Sequence, residues 1–386
     1  MKKKILIVSI GRVDWNIWKP ILKKLKKNKV NNFKILVTGM HLEKKYGESF
    51  KEVVKDGYKI SFKIKQNYSK SDNSSLSNQL GEYIKKFSNI FRKNKFDFIF
   101  LIGDRFESLA AAISSIPFKI PIIHFHGGEV SQGSIDEIHR HMITKASHIH
   151  FCSNEIYRNR VIQMGEEKWR TYTTGSPAVY DLEKNRKYIS RERFFKKIGL
   201  DSNKNFFLLN FNVETLNYEK NKHQINTVLK SLIKTKVNIL VTTTNFDTDS
   251  DVINNAIKQY SKRYKNLKLY PFLGNYYFSA MKYAALMIGN SSSGIIEAAS
   301  LKLPVLNLGE RQKGRLKSKN VIDCKINQTD IKKKINKAMS KNFLRSMKKS
   351  RNIYFNKNFE NLNSYLLKIF KIEKNKLLLK RFNDIK

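Results

Sequence analysis

Two doubly wound α/β domains with a helical C-terminal tail are predicted by three features of the chain. Short apolar runs alternate with helix-period segments from Ile5 to Leu308, the pattern of parallel sheets whose strands are joined by helices. The alternation breaks at Thr173-Thr174-Gly175-Ser176-Pro177 and restarts at Phe206, giving two similar halves. From about residue 328 the chain is lysine-rich, with Ile331, Ile335, Met339, Leu362, Leu366 and Phe370 as the apolar positions of helices. The chain has 386 residues, 41% of them hydrophobic, so each half can bury its own core. The expected division is 1–177, 178–340 and 341–386. The last part is expected to pack back toward the first domain, and a small ligand to bind in a cleft between the halves.

In chain order, Ile5–Ile10 reads as the first strand and Gly11-Arg12-Val13-Asp14 as its loop. Trp15–Lys29 reads as a helix, with Trp18, Ile21, Leu22 and Leu25 at helical spacing. Phe33–Thr38 is the next strand, Glu48–Asp56 a helix and Tyr58–Ile64 a strand. Residues 65–78, rich in Lys, Ser and Asn, read as an exposed loop before a helix Leu80–Lys93. Phe96–Ile102, Pro121–Phe125 and Ile149–Ser153 read as strands, with helices Phe106–Ser115, Ser134–Ala146 and Tyr157–Met164. In the second half, Phe206–Phe211, Val237–Thr243, Leu267–Tyr270, Leu286–Ile288 and Leu303–Leu308 are strands. Helices are expected over His223–Thr235, Asp251–Tyr260 and Phe278–Ala285. Functional groups of such sheets collect at the carboxyl ends of the strands.

Charge and cysteine usage narrow the class of partner. Lys+Arg 75 against Asp+Glu 32 gives a formal net charge of +43, which taken alone favours nucleic acid or an acidic surface. The lysines are spread along the whole chain among Asn and Ile, and no RNP, zinc-finger or basic-zipper pattern occurs. A solvated lysine-rich surface accounts for the charge, and no specific nucleic-acid partner is expected. Cys152 and Cys324 lie far apart without a CxxC pattern, which argues against a disulfide framework or a zinc site. A reducing cytoplasm is the simplest setting. Ile5–Val8 is too short for a signal peptide, and no apolar stretch approaches a membrane span.

Five stretches can carry chemistry. Leu286–Ile288 ends in Gly289-Asn290, and Ser291, Ser292, Ser293 and Gly294 open an alanine-bearing helix. Hydroxyls and free N–H groups at such a turn suit phosphate, although serine is also an ordinary helix cap. Glu297, one turn on, can accept hydrogen bonds from two vicinal ribose hydroxyls. Arg311, Lys313 and Arg315 follow the next strand and can add positive charge to the same phosphates. Residues 102–108, IGDRFES, place Asp104 and Arg105 where a strand ends, an acid for proton transfer beside a cation for an anion. Residues 124–141, HFHGGEVSQGSIDEIHRH, hold four histidines, Glu129, Asp136 and Glu137. Neither HExxH nor a facial-triad spacing is present, so no metal is expected. Carboxylates gathered there raise one another's pKa, which suits proton transfer near neutrality. His139 and His141 fit surface positions of a helix. In NFNVETL (210–216), Asn212, Glu214 and Thr215 can contact a sugar or phosphate; in TTTNFDTDSD (242–251), Asn245 and Asp247 end a strand.

In that order and at those spacings, GDRFE (103–107), HGGEVSQGSID (126–136), GNSSSGIIEA (289–298) and GERQKGR (309–315) resemble the hydrolysing UDP-N-acetylglucosamine 2-epimerases of sialic- and legionaminic-acid pathways. The resemblance covers most of residues 1–330. It implies two Rossmann-like domains facing a cleft, the glycosyltransferase-B architecture, with a UDP-sugar, or a GDP-sugar, in that cleft. It also implies no metal, no nicotinamide cofactor and a homo-oligomer. Arg12, Ser291, Ser292 and Arg311 match contacts to the diphosphate, Glu297 the ribose contact, and Tyr277 and Asn245 positions near the nucleotide. Asp104 and Asp136 match catalytic acids, with Arg105 beside them. Members with HxEGGE carry a further acid where this chain has His126; the nearest carboxylate here is Glu129. Where the family often has a histidine, in His-Pro-Val/Glu-Thr, this chain reads Asn212-Val213-Glu214-Thr215. The loop Ser9–Asp14 also differs from the usual Thr-Gly-Thr-Arg-Ala-Asp. The implied reaction removes the C2 proton of the sugar as the nucleotide diphosphate leaves C1, then hydrates the resulting 2-acetamidoglycal to the C2 epimer. A glycosyltransferase of the same architecture, a nucleic-acid-binding protein and a weakly active nucleotide-sugar-binding relative are the alternatives.

Overall fold

The computed structural model describes residues 3–27, 31–65, 72–244, 247 and 250–384. The chain forms two compact units. Unit 1 comprises Met1–Glu129, Asp136–Asp181 and Tyr354–Lys386, and unit 2 comprises Val130–Ile135 and Leu182–Ile353.

Unit 1 is built on seven parallel strands: β1 (Lys3–Ser9), β2 (Asn31–Thr38), β3 (Ile60–Ile64), β4 (Phe98–Ile102), β5 (Ile122–Phe125), β6 (Ile149–Cys152) and β7 (Thr171–Thr173). Their order is β3-β2-β1-β4-β5-β6-β7. The connecting helices are α1 (Arg12–Lys27), α2 (Phe50–Lys55), α3 (Asn73–Lys93), α4 (Phe106–Ser115), α5 (Asp136–Ala146) and α6 (Glu155–Gln163), and α7 (Pro177–Lys184) follows β7. Parallel strands covered by helices are buried on both faces, which is why β4 reads Phe-Ile-Phe-Leu-Ile without alternation. Trp15 and Trp18 of α1 anchor the core, and the Trp18 indole N–H donates to the Val8 carbonyl at 2.9 Å, so its polar atom is satisfied.

Unit 2 repeats the plan. It carries α8 (Arg191–Ile198), β8 (Phe206–Asn210), α9 (Asn221–Ile233), β9 (Asn238–Val241), α10 (Ser250–Arg263), β10 (Leu267–Leu269), α11 (Tyr277–Tyr283), β11 (Leu286–Gly289), α12 (Ser292–Ile296), β12 (Val305–Leu308), β13 (Val321–Cys324), α13 (Gln328–Met339) and α14 (Lys341–Lys348). The six strands are parallel, in the order β10-β9-β8-β11-β12-β13. In each sheet the strand order reverses once, between β1 and β4 and between β8 and β11. The crevice at the carboxyl ends of such a pair is where this class of sheet binds ligands.

The last helices, α15 (Leu362–Phe370) and α16 (Lys374–Leu378), belong to unit 1. Leu362, Leu366, Ile369, Phe370 and Leu377 enter its core. Polar bonds reinforce this packing. Arg170 donates to the carbonyls of Leu377 at 2.9 Å and Leu379 at 2.8 Å, and Lys380 donates to the Glu166 carboxylate at 2.8 Å. Among the described residues, no helix is long and apolar enough to cross a membrane.

Several element ends differ from the sequence expectation. The first helix begins at Arg12, not Trp15, so the expected loop Arg12–Asp14 is its first turn; Asp14 accepts the Ile10 N–H at 3.0 Å. Part of the expected loop 65–78 is the start of α3, capped by Asp72, whose carboxylate accepts the Ser75 N–H; the rest, 66–71, lies outside the described residues. Strands β7 and β13 and helix α8 have no counterpart in the sequence reading: β7 and β13 are edge strands of three and four residues, too short to leave a period.

Candidate active site

In unit 1 the chemistry-bearing residues gather at the carboxyl ends of β1, β4, β5 and β6. Gly103, at φ +69°, turns the chain out of β4 and delivers Asp104 and Arg105 ahead of α4. The Asp104 carboxylate pairs with the guanidinium of Arg140, a residue of α5 that is 1% exposed. Arg140 also pairs with Glu137 and donates to the Glu129 carbonyl at 2.8 Å. Arg105 lies between carboxylates, with its Nε 3.7 Å from Glu107 and its Nη1 3.9 Å from Asp136. Arg140 thus ties Asp104 to the backbone at Glu129, and Arg105, the next residue after Asp104, faces Asp136. The two guanidiniums hold these carboxylates in place.

The crowding reaches Asp14. Burial, with Glu107 and Asp104 adding to it and the Ile10 N–H and Arg105 opposing, pushes its carboxyl up to about 7. His139, expected on the surface, is half-buried beside Asp136, Arg105 and Asp104, and burial lowers its pKa. Arg12 stands near His41, which is buried between the hydroxyls of Ser9 and Ser49 at 2.8 Å each. Burial, with the Arg12 charge, holds His41 down at about 3, so it is neutral near pH 7.

After β5 the chain turns through His126, in the left-handed region at φ +67°, and Gly128, at φ +75°. A Cβ on Gly128 would lie 2.3 Å from the Tyr157 carbonyl, so only glycine fits. The turn brings Glu129 under His126, with Nδ1 2.6 Å from Oε1. The same oxygen accepts the Ser153 hydroxyl at 2.7 Å. Glu129 is 1% exposed and His126 6%.

Residues Val130–Ile135 then belong to unit 2. There the Ile135 N–H donates to Thr215 Oγ1 at 2.9 Å and the Gln132 N–H to the Lys313 carbonyl at 3.3 Å. Gly133 packs against the backbone of Glu310 and Arg311, where a Cβ would lie 2.6 Å from the Glu310 carbonyl.

Unit 2 assembles its own cluster at the ends of β8, β11 and β12. Gly289 crosses β8 so closely that a Cβ would sit 1.9 Å from the Asn210 carbonyl. Asn290 then clasps Asn212, accepting its N–H at 2.6 Å and donating to its carbonyl at 2.8 Å. The Asn212 side chain is buried, donating to Asn210 at 3.3 Å and accepting from Thr244 at 3.1 Å. Ser291 caps α12, and Ser291 and Ser292 are half-exposed. The Tyr277 hydroxyl meets Asn210 at 3.2 Å and also engages Ser291 and Ser293, with Glu297 nearby. Burial, and then the Glu297 charge, raise the Tyr277 pKa against those bonds, so the hydroxyl keeps its proton.

Arg311 is anchored from behind, its Nε donating to the Val213 carbonyl at 3.1 Å and its Nη1 to the Asn290 carbonyl at 3.3 Å. Glu214, which the sequence offers as a sugar or phosphate contact, is a buttress instead. Its carboxylate accepts the N–H groups of Glu310 at 2.8 Å and Arg311 at 3.3 Å and the Gln224 amide at 3.2 Å. Gly309 makes room for it, since a Cβ there would lie 2.2 Å from the Glu214 carboxylate. Asn245 lies outside the described residues.

The sequence reading places His139 on the surface and gives Arg140 no role; the sequence signal for both is their place one helical turn beyond Asp136. Among the described residues, no group of three or more His, Cys, Asp or Glu side chains is placed to hold a metal ion.

The sequence matches the family model described as UDP-N-acetylglucosamine 2-epimerase over residues 23–361. It is 36% identical over 345 residues to the GDP/UDP-N,N'-diacetylbacillosamine 2-epimerase (hydrolyzing) of Campylobacter jejuni, covering 89% of each chain. It is 34% identical to the UDP-N,N'-diacetylbacillosamine 2-epimerase (hydrolyzing) of Legionella pneumophila, covering 88% of this chain and 90% of that one. Among solved structures, UDP-GlcNAc 2-epimerase from Neisseria meningitidis bound to UDP-GlcNAc has the same fold, with a TM-score of 0.79 at 16% identity over 95% of this chain and 99% of that one. The matched span takes in every strand of the two sheets except β1, together with Asp104, Asp136, Ser291 and Arg311, and the chain belongs to the UDP-N-acetylglucosamine 2-epimerase family.

Proposed function

We propose that this enzyme is a hydrolysing 2-epimerase of a UDP- or GDP-linked 2-acetamido sugar. It would release the C2 epimer as a free sugar together with the nucleotide diphosphate. The observation that carries the reading is the set Asp104, Arg105, Asp136 and Arg140 at the carboxyl ends of the first sheet, acids and cations suited to the two proton transfers that an elimination and a hydration require. The relatives named as hydrolysing diacetylbacillosamine epimerases favour a 2,4-diacetamido-2,4,6-trideoxyhexose as the sugar, with N-acetylglucosamine as the second candidate.

In this reading unit 2 supplies the nucleotide contacts. Ser291, Ser292 and Arg311 bind the diphosphate. Glu297 accepts from the ribose, and Tyr277 borders the nucleotide. Asn212 orders the turn through Asn210, Thr244 and Asn290. The C2 proton is weakly acidic, so its removal must be assisted by departure of the diphosphate. Arg311 cannot swing away from its two carbonyl bonds without losing them, so its charge is already in place when the leaving group becomes negative. Asp104, Asp136, Glu129 and His126 supply the proton transfers of the elimination and of the hydration that follows.

Incubation with UDP-N,N'-diacetylbacillosamine, its GDP counterpart and UDP-N-acetylglucosamine, followed by NMR, tests this. Free nucleotide diphosphate and a free C2-epimeric sugar are expected from at least one. Inertness of all three, or transfer of the sugar only to an added acceptor, would contradict it.

A further inference from the structure

We infer that His126, oriented by Glu129, is the base that takes the C2 proton, and that Glu129 itself is a positioning residue. The inference rests on the 2-epimerase reading above.

Three observations carry it. First, the His126 Nδ1 faces a carboxylate oxygen at 2.6 Å. A carboxylate can only accept, so in the neutral ring the proton sits on Nδ1 and the lone pair is on Nε2. Second, Nε2 is buried and has no hydrogen-bond partner among the described residues. A buried ring nitrogen left without a partner is costly, and such groups point to a role that involves a bound molecule. Third, His126 is held at φ +67°, a conformation that is uncommon for a residue with a Cβ and persists where the surroundings impose it. They do so here. The His126 N–H is fixed to the Phe151 carbonyl at 3.0 Å, and Gly128 admits no side chain.

Glu129 does not present a free oxygen edge in the same way. Its Oε1 takes both the His126 ring and the Ser153 hydroxyl, and the residue is 1% exposed. This is the arrangement of a base and its orienter, in which the acid fixes the tautomer and stabilises the imidazolium as it forms. Arg140 joins this pair to the acids, since it holds both the Glu129 carbonyl and the Asp104 carboxylate.

The step balances as an elimination. The C2 proton passes to Nε2, and the C2–H electron pair becomes the C1–C2 double bond. The C1–O pair leaves on the nucleotide diphosphate. The imidazolium then returns its proton to solvent or to the departing phosphate. Asp104 and Asp136 are left for the hydration, in which C2 is protonated and water adds at C1.

The test compares wild type, His126→Ala, His126→Gln and Glu129→Gln with the three nucleotide sugars above, each unlabelled and deuterated at C2. Both His126 variants are expected to keep UDP affinity and thermal stability and to release nucleotide about 10²–10⁴-fold more slowly. Added imidazole is expected to restore part of the rate in His126→Ala alone. Glu129→Gln is expected to lower kcat with KM little changed and to show no rescue. If wild type is active and both His126 variants stay within about threefold of it, far inside the loss expected for a base, the inference is overturned. It is also overturned if folded, UDP-binding His126→Ala gains nothing from imidazole. If wild type turns over none of the sugars, the 2-epimerase reading fails first and the inference falls with it.

Discussion

Arg140 grips Asp104 from the neighbouring helix, and it does so from a position that solvent scarcely reaches. The pair fixes the first acid of β4 to the turn after β5, because the same guanidinium holds the Glu129 carbonyl. Replacing Arg140 by Met leaves Asp104 and Glu137 facing a lost cation. We expect a stability loss of about 3 kcal/mol and turnover below detection. Arg140→Lys should recover part of the stability but little turnover, since an ammonium cannot hold three acceptors in one plane. Denaturant melts and nucleotide-release assays on the two variants check this.

The Tyr277 hydroxyl links Asn210 of β8 with the serine turn after β11. Tyr277→Phe removes that link while keeping the ring. UDP affinity is expected to fall about fivefold to tenfold, the value of one hydrogen bond, and stability by about 1–3 kcal/mol because Asn210 and the serines lose a partner. Titration calorimetry with UDP measures it. Unchanged affinity would remove Tyr277 from the nucleotide contacts.

Gly309 gives a sharper test of the arginine loop. A methyl group at this position collides with the Glu214 carboxylate that holds the Glu310 and Arg311 N–H groups. Its φ of +69° adds strain for any side chain. Gly309→Ala should therefore weaken UDP binding at least tenfold and lower stability by about 1–3 kcal/mol. Calorimetry and melting together separate the two effects.

The C-terminal helices carry a pH dependence of their own. Burial alone would raise the Glu166 carboxyl, but bonds and charges from His150, Lys380 and Lys145 outweigh it and hold it at about 2. A carboxyl depressed in the fold stabilises fully above its ordinary value, and the benefit fades as pH falls from about 4.5 toward 2. Glu166→Gln should cost about 3 kcal/mol at pH 7, and its deficit against wild type should shrink steadily below pH 4.5. A deficit that does not change with pH would contradict this account.

Both sheets were legible from the sequence because parallel strands buried on two faces are unbroken apolar runs, as in Phe98–Ile102 and Leu286–Gly289. Short edge strands such as Thr171–Thr173 carry too few residues to declare themselves. The acids after β4 and β5 could also be named in advance, since strand ends are where such sheets keep their chemistry. Which carboxylate is structural could not. Glu214 and Arg311 look equally available in sequence, yet Glu214 is consumed by backbone N–H groups 96 and 97 residues away. Arg140 was hidden for the opposite reason. It lies in a helix between two histidines, and only the packing of α5 against α4 turns it inward.

Loss of the C2 proton of the sugar is the central step. With UDP-N,N'-diacetylbacillosamine or UDP-N-acetylglucosamine in deuterium oxide, NMR should show free UDP appearing together with a C2-epimeric sugar that carries deuterium at C2. Release of UDP with protium retained at C2 would mean that this carbon is never deprotonated, and the elimination mechanism would be wrong.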